Sequence, residues 1–337
     1  LKRRLARQPW LVPYTAHAAA DDIALSVFPG DPRLGRLGAF LAFDMWPDLL
    51  GDTGKPSLSV ASYKPGRSCL ARLAWRDGRP PVYARLYRDS RGATVHAAMA
   101  HLWRHRSALP AGFQLARPLG YSDRHHVLLQ QALAGKAVRE LVSDEAARPH
   151  IARAGEGLAV LHAMTMPAGR ALPTRDALDS IMPFAGSLRS VDAELAQQIF
   201  VIHEALAKAA PRQQRVMLHG DFTMRQLVAA GSRTAVLDFD RVGCGDPMTD
   251  LARFLARMAR DCLDAPASGL SLDAAREALL AGYATAPANS LSEDRLAWFE
   301  AATTLAMALQ TIRLLRPDWK RIVNSLLALA RIYAGLV

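Results

Sequence analysis

The stretch that decides the fold runs from residue 218 to residue 251 and reads LHGDFTMRQLVAAGSRTAVLDFDRVGCGDPMTDL. Two short apolar runs lie within it, at residues 227–229 and 234–237, and a turn at Gly231-Ser232 separates them. Apolar runs of this length around a Gly-containing turn predict a β-hairpin. The segments that precede and follow the hairpin would therefore be neighbours in the fold.

Three polar side chains flank the predicted hairpin. Asp221 ends the tripeptide His-Gly-Asp, Gln226 directly precedes the first strand, and Asp238 follows the second strand. The hairpin would fold these three side chains back toward one another. One carboxylate to orient a hydroxyl, with an amide and a second carboxylate to hold magnesium, is typical of a phosphoryl-transfer site.

Three linked segments resemble the motif of a known family, the aminoglycoside phosphotransferases and choline kinases, which are small-molecule relatives of the protein kinases. HGDFTMRQ is similar to a catalytic loop that the family writes as HGD, four variable residues and Asn. VLDFD is similar to its metal segment, and GDPMTDL to its GDPxxDL segment. The order and the spacing both match, and a weaker resemblance extends from about Ser57 onward.

The resemblance implies an α+β, protein-kinase-like fold of two lobes. The small N-lobe would hold an antiparallel sheet and a helix, and the larger C-lobe would be mainly helical. We expect residues 1–50 to form an N-terminal extension, residues 51–132 the nucleotide-binding N-lobe, and residues 133–337 the catalytic and acceptor-binding C-lobe. A chain of 337 residues, 50% of them hydrophobic, suits two lobes with a large core.

The resemblance also implies the roles of the polar residues around the hairpin. Asp221 would orient the acceptor hydroxyl, and Gln226 and Asp238 would hold Mg²⁺. Asp240 could assist a second ion or simply be solvated. Gln226 stands where the family has Asn. Gln keeps the amide oxygen but adds a methylene, so the metal or the loop must shift.

Three further residues of the stretch are expected to support the site. The ring of His219 would hydrogen-bond the catalytic loop. Asp250 would be a buried brace that accepts hydrogen bonds from backbone amides of that loop. Asp246 would cap the helix that starts near Pro247.

The N-lobe would supply the nucleotide contacts. Strands are predicted at residues 57–63, 69–75 and 81–87. In a kinase-like lobe, the first turn lies over the nucleotide phosphates, and here an ordinary basic hairpin turn is an equally good interpretation. The turn residues suited to phosphate are Lys64, Gly66, Arg67 and Ser68. The hinge that binds adenine through backbone groups would run from Gln130 to Leu133, with Gln130, Gln131 and Leu133 as the candidate contacts.

A second departure from the family concerns Arg85. The family pairs a strand Lys with a helix Glu, and Arg85 takes the position of that Lys. The helix predicted at residues 91–106 contains neither Asp nor Glu. Arg85 can contact phosphates as a fixed cation, but nothing obvious orients it. The alternative is a catalytically degenerate kinase-like protein with a binding or regulatory role.

The rest of the chain is predicted from periodicity and turn residues. Short helices are expected at residues 10–20 and 34–43, and strands at 113–121 and 125–129. Longer helices are expected at residues 148–164, 179–189, 192–209, 248–263, 272–283, 292–315 and 319–336.

The net charge of +11 bears on the partners. A positive surface attracts anions and repels cations, so polycationic aminoglycosides are a poor electrostatic match. We expect ATP (or GTP), Mg²⁺ and a neutral or anionic hydroxyl acceptor, such as a metabolite, sugar or natural product. Nucleic-acid binding rests on charge alone, because zinc-finger spacing and RNP motifs are absent from the sequence.

The expected location is cytoplasmic. Cys69, Cys244 and Cys262 are widely spaced and indicate neither a disulfide framework nor a zinc site. The basic start of the chain resembles a signal peptide, but polar residues interrupt its apolar region. No apolar run reaches the roughly 20 residues of a membrane span.

Overall fold

The computed structural model describes the chain except for residues 1–13, 19–22, 52–53, 142, 166–170, 173–177, 180–181, 213, 265–270, 287–290, 315–316 and 337. The chain forms two compact units. The first comprises Leu1–Trp103 and Ala116–Leu133, and the second comprises Arg104–Leu115 and Ala134–Val337. Among the described residues, no helix is both long and apolar enough to cross a membrane.

The elements up to residue 131 are given first, in chain order. They are β1 (Tyr14–Ala18), β2 (Ile23–Val27), α1 (Leu37–Leu41), α2 (Trp46–Leu50), β3 (Ser57–Lys64), β4 (Ser68–Ala74), β5 (Val82–Tyr87), α3 (Arg91–Arg104), β6 (Phe113–Leu115), β7 (Pro118–Ser122) and β8 (Val127–Gln131).

The remaining elements are mainly helical. They are β9 (Lys136–Ala137), α4 (Asp144–Ala163), α5 (Met182–Leu188), α6 (Ala193–Lys208), β10 (Val216–Leu218), β11 (Leu227–Ala230), β12 (Arg233–Val236), β13 (Gly243–Gly245), α7 (Met248–Asp264), α8 (Leu272–Tyr283), α9 (Glu293–Leu314) and α10 (Trp319–Tyr333).

The first unit is built on a five-stranded antiparallel sheet with the strand order β3-β4-β5-β8-β7. Alternate residues of β4 are buried because successive side chains of a strand point to opposite faces. This buried face packs against the segment that contains α1 and α2 in one hydrophobic cluster. The cluster includes Leu34, Leu37, Phe40, Leu41, Trp46, Cys69, Ala71, Leu73, Leu86 and Val127. Full burial of one such large side chain contributes about 1.5–3 kcal/mol, so this segment is part of the fold.

The second unit places helices around two small sheets. One sheet has the order β6-β12-β11-β9, and the other pairs β10 with β13. Helices α4 and α8 approach each other so closely that a Cβ on Gly282 would collide with the carbonyl of Ala152. The contact between these helices therefore requires a residue without a side chain. Helix α4 in turn contacts β10, the strand that leads into the HGD segment.

The structure confirms the central hairpin, whose strands β11 and β12 pair antiparallel from Leu227 opposite Val236 to Ala230 opposite Arg233. It also confirms the three strands predicted between residues 57 and 87, and the long helices of the second unit that the structure describes, with ends that differ by a few residues.

Two local predictions are wrong, and a third is shifted along the chain. The helix expected at residues 10–20 contains a strand, because Tyr14–Ala18 finds a partner in Ile23–Val27 that a local pattern does not reveal. The strand expected at 113–121 is divided between two sheets, β6 in the second unit and β7 in the first. The last strand of the first unit starts two residues later than expected, because His125 and His126 form a turn and His126 adopts a φ of 55°.

Candidate active site

The HGD segment follows β10 and turns sharply at Gly220. Gly220 has a φ of +79°, and a Cβ at this position would collide with the backbone carbonyl of Arg241. Only glycine meets both conditions without strain. The glycine thus allows the HGD segment to lie directly against the chain that follows the hairpin.

Asp250 fixes the backbone of the HGD segment through hydrogen bonds. Its carboxylate is fully buried and accepts hydrogen bonds from the backbone amides of His219, at 2.7 Å, and Gly220, at 2.9 Å. His162 Nε2 lies 3.3 Å from the same carboxylate, and the other ring nitrogen of His162 lies 2.9 Å from the hydroxyl of Tyr283. These bonds agree with the interpretation of Asp250 as a buried brace.

The ionised form of Asp250 is favoured in spite of its burial. Burial alone would raise the pKa of this carboxyl, but the hydrogen bond and charge of His162, together with the Gly220 amide, bring the pKa below its ordinary value. Burial raises the pKa of Tyr283, and the nearby carboxylate of Asp250 adds to that shift. The brace is therefore an anion surrounded by donors.

His219 links the HGD segment to the hairpin. Its Nε2 lies 2.9 Å from the carbonyl oxygen of Leu237, and its Nδ1 accepts a hydrogen bond from the Asp221 amide at 3.3 Å. A neutral ring with its proton on Nε2 satisfies both contacts. The ring also packs 4.6 Å from the ring of Phe239. The His219 ring is thus buried and bonded to the loop, as its sequence context suggests.

Leu237 joins the two ends of the hairpin. Its amide donates to the carbonyl of Gln226 at 2.9 Å, while its own carbonyl lies against His219. One backbone network therefore brings together the segments that carry Asp221, Gln226 and Asp238. The sequence predicted this convergence from the hairpin.

Asp238 has an unusual backbone. It lies in the left-handed region with φ 65° and ψ 64°, which costs a residue with a Cβ about 1–2 kcal/mol. Strain of this kind clusters at functional sites. Asp238, Asp240 and Gln226 are all partly exposed, and their carboxylate and amide oxygens are the donors that Mg²⁺ prefers. The donor chemistry of these residues therefore fits the metal.

Sequence reasoning missed Arg253, which lies on α7 beside Asp221. Its Nη1 is 3.7 Å from Asp221 Oδ1, and the two side chains are 29% and 34% exposed. Asp221 is thus accessible and has a cation as its neighbour. The regular spacing of arginines in LARFLARMAR, after the GDPMTDL segment, was the available signal.

Asp246 has a larger role than a helix cap. Its carboxylate accepts a hydrogen bond from the amide of Met248 at the start of α7, at 3.1 Å. It also accepts from the amide of Gln214 at 2.8 Å and pairs with Arg295 at 2.5 Å. Asp246 therefore ties the start of α7 to both the segment before β10 and α9.

In the first unit, the turn proposed to cover phosphates is held by a residue that the sequence did not indicate. Asp31 accepts hydrogen bonds from the Gly66 amide at 2.6 Å and the Tyr63 hydroxyl at 2.8 Å. Gly66 has a φ of +65°. Burial and the Asp31 carboxylate raise the pKa of Tyr63 to about 12. The turn, which also contains Lys64, Arg67 and the buried Ser68, is therefore fixed from outside the sheet.

The other nucleotide-contact candidates lie in the five-stranded sheet. Arg85 is a partly buried residue of the central strand β5, opposite Leu70 and Leu128, and α3 contains no acidic residue.

Two amides of the predicted hinge are used within the first unit. The amide of Gln131 donates to the Arg117 carbonyl, and that of Ala132 donates to the Pro81 carbonyl. Gln130 pairs with Tyr83 in the sheet, and Leu133 follows the end of β8. The nucleotide roles of these residues remain predictions.

The sequence matches the model of a known protein family over more than half of its length. Residues 66–298 match the model of the family described as "APH: Phosphotransferase enzyme family". A search of curated proteins found no match.

Solved structures share the fold at low sequence identity. A choline/ethanolamine kinase family protein from Mesorhizobium loti aligns with a TM-score of 0.54 and 17% identity, over 85% of this chain and 90% of that one. The streptomycin-ATP-APH(2")-IIa ternary complex aligns with a TM-score of 0.57 and 15% identity, over 86% of this chain and 97% of that one. The GDP and kanamycin complex of APH(2")-IIia aligns with a TM-score of 0.59 and 13% identity, over 87% of this chain and 99% of that one. The expected kinase-like fold, with an antiparallel sheet in one unit and a mainly helical second unit, is confirmed.

Proposed function

The chain belongs to the phosphotransferase enzyme family and is a small-molecule kinase with a hydroxyl acceptor, and from this premise we propose that it transfers the γ-phosphoryl group of ATP. The acceptor would be a hydroxylated metabolite, sugar or natural product. Among the solved relatives, one holds ATP with streptomycin and another holds GDP with kanamycin. ATP is the nucleotide that we propose, and GTP is the alternative. The proposed location is cytoplasmic.

The observation that carries this proposal is the backbone network around Leu237. It joins the HGD segment, the end of the hairpin and Gln226, and it leaves Asp221 34% exposed beside them. Phosphoryl transfer depends mostly on positioning and on electrostatic stabilisation. A rigid loop that presents one accessible carboxylate supplies the positioning.

Each residue has one task in the proposed mechanism. Asp221 accepts a hydrogen bond from the acceptor hydroxyl and orients its oxygen toward the phosphorus. Gln226 and Asp238 would hold Mg²⁺, with Asp240 near a second ion, and the metal would neutralise phosphate charge. The turn of Lys64, Gly66, Arg67 and Ser68 would bind phosphates, with Arg85 as a fixed cation.

The first test is ligand-dependent stability. We would measure the melting temperature with ATP, with Mg²⁺, and with both. A ligand at about 100 times its dissociation constant adds roughly 2.7 kcal/mol to the native state, or a shift of several degrees. A shift that needs both ligands, and that Asp238→Asn abolishes, supports the site. The control Asp261→Asn changes a carboxylate that already pairs with Arg225 and should keep the shift.

The second test is transfer itself. Asp221→Asn keeps the size of the side chain but removes its charge, so phosphoryl transfer should fall by two or more orders of magnitude (about 10²–10⁴ for loss of a positioned acid–base group) while Mg·ATP binding persists. Full transfer activity in this variant would show that Asp221 does not have the proposed role. Absence of any Mg·ATP shift in the unaltered protein would instead favour the degenerate-kinase alternative.

A further inference from the structure

Helix α7 carries a row of arginines beside the proposed catalytic carboxylate. Arg253 and Arg257 are four residues apart and so lie on the same face of the helix. Arg253 reaches to 3.7 Å from Asp221, a distance longer than a hydrogen bond. The helix therefore presents guanidinium groups next to the carboxylate that would hold the acceptor hydroxyl.

The neighbouring acidic groups are already engaged with other arginines. Arg225 binds Asp261 through two contacts, Nε at 3.3 Å and Nη2 at 3.0 Å. Arg260 lies 3.5 Å from Asp264. These pairs leave Asp261 and Asp264 with partners other than Arg253 and Arg257.

Arg253 and Arg257 themselves lack strong partners. Within the part of the chain that the structure describes, Arg257 forms neither a hydrogen bond nor an ion pair, although it is partly buried. The Nε of Arg253 is buried, and no described residue bonds to it. A buried donor without an acceptor costs about 1–3 kcal/mol. Two adjacent guanidinium groups thus have donors to offer.

The surroundings of Arg257 disfavour its positive charge. Burial lowers the pKa of Arg257, the charges of Arg225 and Arg260 lower it further, and Asp261 and Asp221 offset only part of the shift. An oxyanion bound here would restore solvation and neutralise charge. Guanidinium forks bind carboxylate and phosphate through paired hydrogen bonds.

We propose that the acceptor is a hydroxylated anion, whose carboxylate or phosphate binds Arg253 and Arg257 while its hydroxyl lies at Asp221. This inference rests on the proposed phosphotransferase function and narrows its acceptor class. A polycationic acceptor would meet two fixed charges of its own sign at this place. In the transfer, the acceptor oxygen bonds to the γ-phosphorus as the bond to the β–γ bridging oxygen breaks. ADP leaves, and the hydroxyl proton passes through Asp221 to solvent.

The first experiment measures binding of defined probes by calorimetry, without nucleotide. The probes are 3-phosphoglycerate and gluconate, with glycerol and glucose as their uncharged counterparts. Arg257→Gln should weaken the binding of the anionic probes by about 10-fold or more, which is the loss expected for a charge-assisted hydrogen bond. Arg257→Lys keeps the positive charge but loses the forked pair of donors. Its affinity for the anions should lie between those of the unaltered protein and Arg257→Gln. The matched control Arg233→Gln changes an exposed arginine of the hairpin and should bind as the unaltered protein does.

Each outcome decides the inference. Equal anion binding by the unaltered protein and Arg257→Gln would overturn it, as would no anion binding at all, or tighter binding of the uncharged probes. A titration with Mg·ATP separates the two proposals. If Mg·ATP fails to bind while anion binding still depends on Arg257, the phosphotransferase mechanism is lost and the anion site stands. If Mg·ATP binds and kanamycin is the better transfer acceptor, the anion proposal is lost and the kinase stands.

Discussion

Replacement of Gly220 by alanine tests how the HGD segment is held. The left-handed φ of +79° costs alanine about 1–2 kcal/mol. The new Cβ would also collide with the Arg241 carbonyl, which is backbone and cannot rotate away. Relief of the collision moves the Gly220 amide off Asp250, and a buried donor left unbonded costs about 1–3 kcal/mol. Overpacking adds about 1–3 kcal/mol more.

Gly231→Ala is the matched control for this prediction. Gly231 lies in the hairpin turn with a similar φ of +59°, and nothing lies within 4 Å of the position a Cβ would take. The backbone cost is therefore shared, and the collision is not. Chemical denaturation should show that Gly220→Ala loses about 2–6 kcal/mol more unfolding free energy than Gly231→Ala. Equal losses in the two variants would refute the reasoning, because the loop would then tolerate a side chain at Gly220.

Three further outcomes follow from the same contacts. Asp250→Asn, which loses the charge beneath the amides of His219 and Gly220, should cost about 3–5 kcal/mol in urea unfolding; a loss below 1 kcal/mol would contradict the brace. Folding lowers the pKa of Asp250, so its contribution to stability is complete above the unfolded pKa of about 3.9 and is lost as the pH falls through the folded pKa. The melting temperature of the unaltered protein should therefore fall more steeply in acid than that of Asp250→Asn. Asp31→Asn should weaken ATP binding about 3- to 30-fold through the loosened Gly66 turn, as titration calorimetry would detect, whereas unchanged affinity would dissociate this turn from the nucleotide.

Local patterns were sufficient for the hairpin and the long helices because their periodicity and turn residues reflect burial within one element. They also indicated that Asp221, Gln226 and Asp238 converge, since a hairpin necessarily returns the chain to its starting point. The strand Tyr14–Ala18 was missed because its stability comes from a partner strand. Neither Asp31 nor Arg253 was predicted, since each acts on a residue more than thirty positions away.

Arg257 illustrates the limit in a different way. Its position on the helix could be read from the spacing of LARFLARMAR. Its lack of a partner could not, because that depends on which carboxylates Arg225 and Arg260 engage. Charge pairing is decided by three-dimensional neighbours, so a net charge of +11 revealed the sign of the surface and not the place where it is concentrated.

The contact between Asp31 and the Gly66 turn shows that the segment matched by the family model and the segment that folds as one unit have different starting points. The match to the family model starts at residue 66, whereas the carboxylate that fixes this turn and many of the apolar side chains that cover the sheet come from earlier in the chain. The folded first unit therefore begins before the segment that the family model matches. A related protein with a different leading segment would need another way to fix the same turn. If the turn binds phosphates as we propose, changes in the leading segment would alter nucleotide affinity without changing any residue of the HGD and GDPMTDL segments.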